Sequence, residues 1–400
     1  MSFRSKRNLA LISAGVIAGI SILSVEPAKD FVKSMPGTME ILALIHNGLN
    51  RPLSPDEAGD GSQADEILLV DPAGVARDPE GNVYISDRVG LIWKIDSTKI
   101  ARVIAGTGLR GRARAGRSAD ETDLGVPQGI AFGSRNRLHI ADSINNVVLR
   151  IESDGTLHRV AGTGFVGNQG DGGPAMDAEL DEPYDIRFDS EDNLFIVEFG
   201  SNRIRKVDQQ GIISTVAGTG EAGYSGDGGP ATSALLRGPY GAFLDSKDRL
   251  YIADSGNHVI RMIDDNGIIS TIAGSIKRGY AGDDGPATDA LMDSPQFLAI
   301  DEIGRTFIGD EHNRAIRMIT ADGMISTLIG STTHATQDQS HLNVQEGVLS
   351  DPEALLLQAD DSLLIVDGGN ARVIRLHSDG AIEHFAGRVP AKDASNSDLN

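Results

Sequence analysis

Leu250-Tyr-Ile-Ala-Asp-Ser-Gly-Asn-His-Val-Ile-Arg-Met-Ile263 is an apolar run that ends in an acid, then a polar turn, then a second apolar run. The signature recurs along the chain. Its acids are Asp87, Asp142, Glu198, Asp254, Asp310 and Asp367, at separations of 55, 56, 56, 56 and 57 residues. A proline stands 15 residues before each acid, at Pro72, Pro127, Pro183, Pro239, Pro295 and Pro352. A glycine follows 20 residues after (19 in the first unit), at Gly106, Gly162, Gly218, Gly274, Gly330 and Gly387. A fixed period of this length marks a repeat architecture, in which no unit can bury its apolar surface alone.

Each unit divides into four short strands. In the fourth they are read as Gly241–Asp245, Leu250–Ala253, Val259–Ile263 and Ile268–Ala273, separated by Ser246-Lys247-Asp248, Ser255-Gly256-Asn257 and Asp265-Asn266-Gly267. One such antiparallel sheet cannot cover both its faces. Six stacked radially cover them all and leave only short outer edges. A linear solenoid fits less well, because no terminal unit carries a polar capping face. The expected fold is all-β, a six-bladed β-propeller of four-stranded antiparallel blades at about 67–106, 124–162, 180–218, 236–274, 292–330 and 349–387.

Within a blade, the proline starts the innermost strand, where its missing N–H costs little. The acid ends the second strand, where its carboxylate can accept N–H bonds across the turn that follows. Three residues on stands Asn145, Asn257, Asn313 or Asn370, with Ser201 and Gly90 in the other two units. Asn and Gly suit the positive φ of tight hairpins. Features that recur in nearly every blade are explained by turn geometry and do not single out one site.

The stretch Leu250 to Ile263, followed by Gly267-Ile-Ile-Ser-Thr-Ile-Ala-Gly274, resembles the NHL repeat. The link Gly218-Thr-Gly-Glu-Ala-Gly-Tyr-Ser-Gly-Asp-Gly-Gly-Pro-Ala-Thr232 resembles the form found in bacterial NHL proteins and in the propeller of teneurins. The likeness covers residues 67 to 387. It implies a propeller that most often serves as a binding scaffold. Relatives include an amidating lyase, and propellers of similar shape include lactonases and strictosidine synthase-like enzymes, so fold does not fix activity.

Composition narrows the choice. A formal charge of −21 repels nucleic acid and anionic lipid, which removes both as ligands of the body. Aromatic residues make up only 4% of the chain, which argues against a carbohydrate-stacking surface. Cysteine is absent, and with it disulfides, thiol chemistry and thiolate metal sites.

At the N-terminus, Arg4, Lys6 and Arg7 precede an uncharged run from Leu9 to Val25. That length exceeds a signal h-region and suffices for a short membrane span. The basic flank stays cytoplasmic and everything after Glu26 is exported, periplasmic or extracellular. An uncleaved signal-anchor over 1–26 is expected, with a cleaved, secreted form as the alternative. Residues 27–66 read as a linker with a short amphipathic helix over Met39 to Leu49, and 388–400 as a tail.

Chemistry is sought in the links from each closing glycine to the next proline. These links and the turns between second and third strands emerge on one face, here called the link face, which is the expected binding side. Asp171, Asp227 and Asp283 head Asp-Gly-Gly-Pro motifs or a variant of them. One carboxylate per loop falls short of the oxygens calcium takes, so no cofactor is predicted, with calcium or another divalent ion as the alternative. Two links break the pattern. The first carries Arg110, Arg112, Arg114 and Arg117, suited to a carboxylate or phosphate. The fifth, Ser331 to Gly347, is polar and holds His334 and His341. His258 and His312 lie on turns of neighbouring blades, whereas His139, His158 and His384 share no register, which speaks against a three-histidine zinc site. Catalytic motifs such as Gly-x-Ser-x-Gly or His-Glu-x-x-His are absent. The sequence therefore reads as a membrane-anchored scaffold for an unknown protein or peptide. The alternative is a metal-assisted, lactonase-like hydrolase or lyase acting in the central channel.

Overall fold

The computed structural model describes residues 53–330 and 349–388. The expected anchor, the helix over Met39 to Leu49, both histidines of the fifth link and the tail from residue 389 lie outside the described residues. Among the described residues no helix is long and apolar enough to cross a membrane.

Six antiparallel sheets follow one another, each with its strands paired in chain order. Blade 4 is typical: Pro239–Leu244, Leu250–Asp254, Val259–Ile263 and Ile269–Ala273. In every blade the proline is the first residue of the first strand and the acid the last of the second. First strands of neighbouring blades lie side by side, and the sixth returns to the first, so these strands ring the axis. Blade 5 gains Gly285–Pro286 on its outer edge.

The core lies between blades, where apolar faces of adjacent sheets meet. The residue two before each acid is isoleucine in all six units: Ile85, Ile140, Ile196, Ile252, Ile308 and Ile365. All six are fully buried. Truncating one of them to alanine costs about 2–5 kcal/mol in lost burial and cavity formation.

Two expectations about the turns are corrected. First, the acid ties down the segment ahead of the first strand rather than mainly the turn after it. Asp87 accepts the Val70 and Asp71 N–H groups at 2.9 and 3.0 Å, and Asp142 those of Gly125 and Val126 at 2.9 and 3.1 Å. Second, the Asn three residues beyond the acid acts through its side chain. Asn257 donates its amide to Asp254 at 2.8 Å and to the Gly223 carbonyl at 2.7 Å. Positive φ falls one residue later, at Asn146, Asn202, His258, Arg314 and Ala371. The links are fastened as well: each of the first four crosses to the outer edge of the blade ahead, as where Pro174 bridges to Ile212 and Pro230 to Ile268.

The ring closes by the same device. The closing glycine of blade 2 donates its N–H to Ala175 in the next link, and that of blade 3 to Ala231. Gly387 at the end of blade 6 donates to Ala64 at 2.9 Å, ahead of blade 1, while Ala64 in turn donates to Lys99 of blade 1. The lead-in is therefore a sixth link, joined by hydrogen bonds without adding a strand to blade 6. This corrects the reading of its last part as a tether. Leu53, Ala58, Ala64, Ile67 and Leu69 are buried, and Pro55–Ala58 forms a short helix with a capping box between Ser54 and Glu57.

Candidate functional site

The axis is shut on the link face by Arg88, the residue just after the first acid. Its guanidinium donates to Gln128 of blade 2 at 2.9 Å, to Asp71 at 3.0 Å and in bidentate fashion to Glu353 of blade 6 at 2.9 and 2.6 Å. It also reaches the Tyr240 hydroxyl of blade 4, opposite in the ring, at 2.8 Å. Arg88 and Glu353 are only 6% and 8% exposed, so the pair is closed off from water. Burial opposes the Arg88 charge, but Glu353, Tyr240 and Asp71 outweigh it and raise its pKa. Burial also lifts Glu353 above its ordinary value, even against the pull of Arg88. An aromatic wall completes the mouth: Tyr184 stacks on Phe199 at 4.6 Å, and Tyr240 meets Tyr184 and Phe297 edge-on at 4.8 and 5.3 Å.

Sequence reasoning passed over this mouth. Its signal lies in two variable columns of an otherwise regular repeat. After the proline stand Ala73, Gln128, Tyr184, Tyr240, Gln296 and Glu353; after the acid stand Arg88, Ser143, Phe199, Ser255, Glu311 and Gly368. The acids themselves are fully buried and spent on the links, so none faces a ligand.

The loop aspartates are bound from within. Asp171, Asp227 and Asp283 pair with Arg205, Arg261 and Arg317 at 2.7, 2.5 and 2.8 Å. These arginines come from third strands of blades 3, 4 and 5 and have no exposure. Arg261 also donates to the Leu235 and Ser225 carbonyls at 2.9 Å each, lies 3.7 Å from Asp254 and faces the Tyr224 ring at 5.2 Å. The Asp-Gly-Gly-Pro loop is a clamp that fastens a link to its blade.

His258 and His312, by contrast, are brought together. Asp293 lies 3.6 Å from His258 Nδ1 and 3.4 Å from His312 Nδ1, with Arg278 at 3.4 Å. Burial lowers the His258 pKa, and its Nδ1 accepts the Ser294 N–H at 3.2 Å, so that ring is neutral. A hydrogen bond to Glu311 raises His312 to about 9. Among the described residues no group of three or more His, Asp or Glu side chains could hold a metal.

The first link lacks the clamp, since Ala115 stands where Asp171 does and Leu149 where Arg205 does. Arg112, Arg114 and Arg117 are exposed there and border a groove of about 270 Å³ with Glu121, Thr122 and Asp123. Arg110 is half-buried beside them. Four large apolar side chains stand out on the same part of the link face: Leu109, Ile144, Phe165 and Val166, at 49–68% exposure.

Comparison with known proteins agrees with this geometry. The family model described as the teneurin NHL domain matches residues 220–279 and 276–399. The chain is an NHL-repeat propeller. It is 31% identical over 265 residues to teneurin-3 of Danio rerio, covering 58% of the chain and 10% of that protein. It is 27% identical over 263 residues to the chloroplastic protein SUPPRESSOR OF QUENCHING 1 of Arabidopsis thaliana, covering 62% of the chain and 25% of that protein. The NHL propeller thus spans a quarter or less of these relatives. Among solved structures it superposes on an auxiliary nutrient binding protein from Bacteroides thetaiotaomicron with a TM-score of 0.58 at 12% identity, covering 82% of this chain and 72% of that one. A gluconolactonase from Xanthomonas campestris superposes at 0.52 and 13% identity, covering 79% and 87%. At such identities these likenesses extend to the fold alone.

Proposed function

We propose that this NHL propeller is a binding scaffold for a protein or peptide, held on the exported side of a membrane by residues 9–25 and working through its link face. The observation that carries the reading is the set of exposed apolar side chains on that face around blade 2. Large apolar groups grouped in this way on a water-soluble surface mark contact sites. Equivalent positions in the third link carry Glu221 and Ala222, so the repeat itself does not demand them.

The channel hydrolase or lyase gains only a shared fold from the gluconolactonase likeness. Arg88 lies across the channel's link-face mouth, where its charge repels a metal cation and its side chain bars entry. The deciding experiment compares affinity capture by the full chain and by a Phe165→Ser/Val166→Ser variant, alongside elemental analysis and a lactone and ester screen of native protein. A partner retained by the first and lost by the second supports the scaffold. A stoichiometric divalent ion together with turnover overturns it. Anchoring is checked by alkaline extraction of membranes: the full chain stays with them, and a chain lacking residues 1–26 does not.

A further inference from the structure

The tip of blade 2 on the link face is the place where the repeat departs furthest from itself. Its turn between second and third strands, Ile144-Asn145, is wedged between two links. Asn145 donates to the Gly111 carbonyl of the first link at 2.7 Å. A Cβ at Gly164 of the second link would sit 3.5 Å from the Asn145 carbonyl oxygen. Behind the turn, a methyl at Gly125 would collide with Ile144 and Asn145, so the turn is seated hard against the blade. Leu109, Phe165 and Val166 flank this turn on the same two links. The four side chains thus gather around one turn and the two links that hold it. Immediately beyond Gly111 the first link carries Arg112, Arg114 and Arg117 around their groove.

Apolar anchors beside an arginine row give this patch a defined chemistry. Arginine binds carboxylates through planar, bidentate hydrogen bonds, and arginine with aromatic side chains is enriched where proteins meet. The rest of the molecule constrains the partner further. A body of net charge −21 repels long polyanions and anionic bilayers. Screening over about 8 Å at physiological salt leaves only nearby charges effective. A short segment can therefore feel the arginines without the rest of the field.

We propose that the blade 2 tip binds a short acidic peptide segment bearing bulky apolar side chains, its carboxylates on Arg112, Arg114 and Arg117 and its apolar groups on Leu109, Ile144, Phe165 and Val166. This rests on the scaffold reading and names the partner's chemistry.

The test pans a random twelve-residue peptide library against the full chain and measures enriched peptides by fluorescence anisotropy. Wild type is compared with Arg112→Gln/Arg114→Gln/Arg117→Gln, with Phe165→Ser/Val166→Ser, and with Arg278→Gln on the fourth link as a control. All these side chains are on the surface, and circular dichroism checks that each variant folds. The expected result is enrichment of peptides mixing Asp or Glu with Phe, Leu or Ile. Their affinity falls at least tenfold in both blade 2 variants and is unchanged in the control. Peptides that bind all variants equally overturn this inference and leave the scaffold reading standing. No enrichment of any sequence overturns both. Phosphatidylserine vesicles that bind, with the same sensitivity to the arginine variant, overturn the choice of a peptide.

Discussion

Asp254 accepts the Arg237 N–H at 2.7 Å and the Asn257 amide at 2.8 Å with no exposure to solvent. Four of these acids share a marked electrostatic property. Burial lifts Asp87, Asp254 and Asp310 from 3.8 to about 6, and Glu198 from 4.5 to about 7. A carboxyl raised in the folded state holds its proton better there than in the unfolded chain. Its contribution is fully present below the unfolded value, near 4, and is lost as pH rises through 6 to 7. Protonation also reduces the self-repulsion of a chain at −21, which acts in the same direction. The expected outcome is a melting temperature higher at pH 5 than at pH 8, with a shallower slope in Asp254→Asn. A melting temperature that climbs steadily from pH 4 to pH 8 would contradict it. The spacing of these acids was legible in the sequence. Their partners were not, because the bonds run back to residues 16 and 17 positions earlier, a contact that only the blade geometry creates. The positive-φ position was equally hidden where it carries Arg314 or Ala371, residues that advertise nothing of the kind.

At the scale of the element, the links hold blades together through buried arginines, and the sequence held an unused hint of this. In Val259-Ile-Arg-Met-Ile263 the period of two puts Arg261 on the same face as Val259 and Ile263, both buried. An arginine on an apolar face requires an internal partner, and Asp227 of the Asp-Gly-Gly-Pro loop supplies it. The motif was thus found but its partner was not, because that partner lies 34 residues on. Replacing Arg261 with Met removes the bonds to Asp227, Leu235 and Ser225 and leaves Asp254 buried without its cation. Breaking such a pair from one side costs about 3–5 kcal/mol. The third link should also come loose from the outer strand, since Thr271 donates to the same Asp227 at 3.1 Å. Limited proteolysis followed by mass spectrometry should show new cleavage between Gly220 and Gly229 in Arg261→Met and none at the matching site of the fourth link. Unchanged digestion would show that the backbone bonds alone hold the loop.

For the whole molecule the question is how a linear chain keeps a ring shut. Six units and their order were plain from the spacing, but the seam was not, since it joins residues about 300 positions apart. Two kinds of contact close it. The lead-in bonds both Gly387 and Lys99 as an ordinary link would, and Arg88 clasps Glu353 across the first and last blades. Lys99 and Glu383 add an exposed pair at 3.3 Å, of little energetic weight. If Arg88 is a clasp, then Arg88→Met and Glu353→Met should each be costly, because each leaves an unmatched buried charge. The double replacement should recover much of that loss, since two methionines fill the space without charge. A one-sided loss of about 3–5 kcal/mol corresponds to roughly 4–7 °C in a domain of this size. Hydrogen exchange should then rise first in blades 1 and 6, the only neighbours whose covalent link is missing. Losses that simply add in the double variant would mean that Arg88 and Glu353 act independently, and that the lead-in segment alone closes the ring.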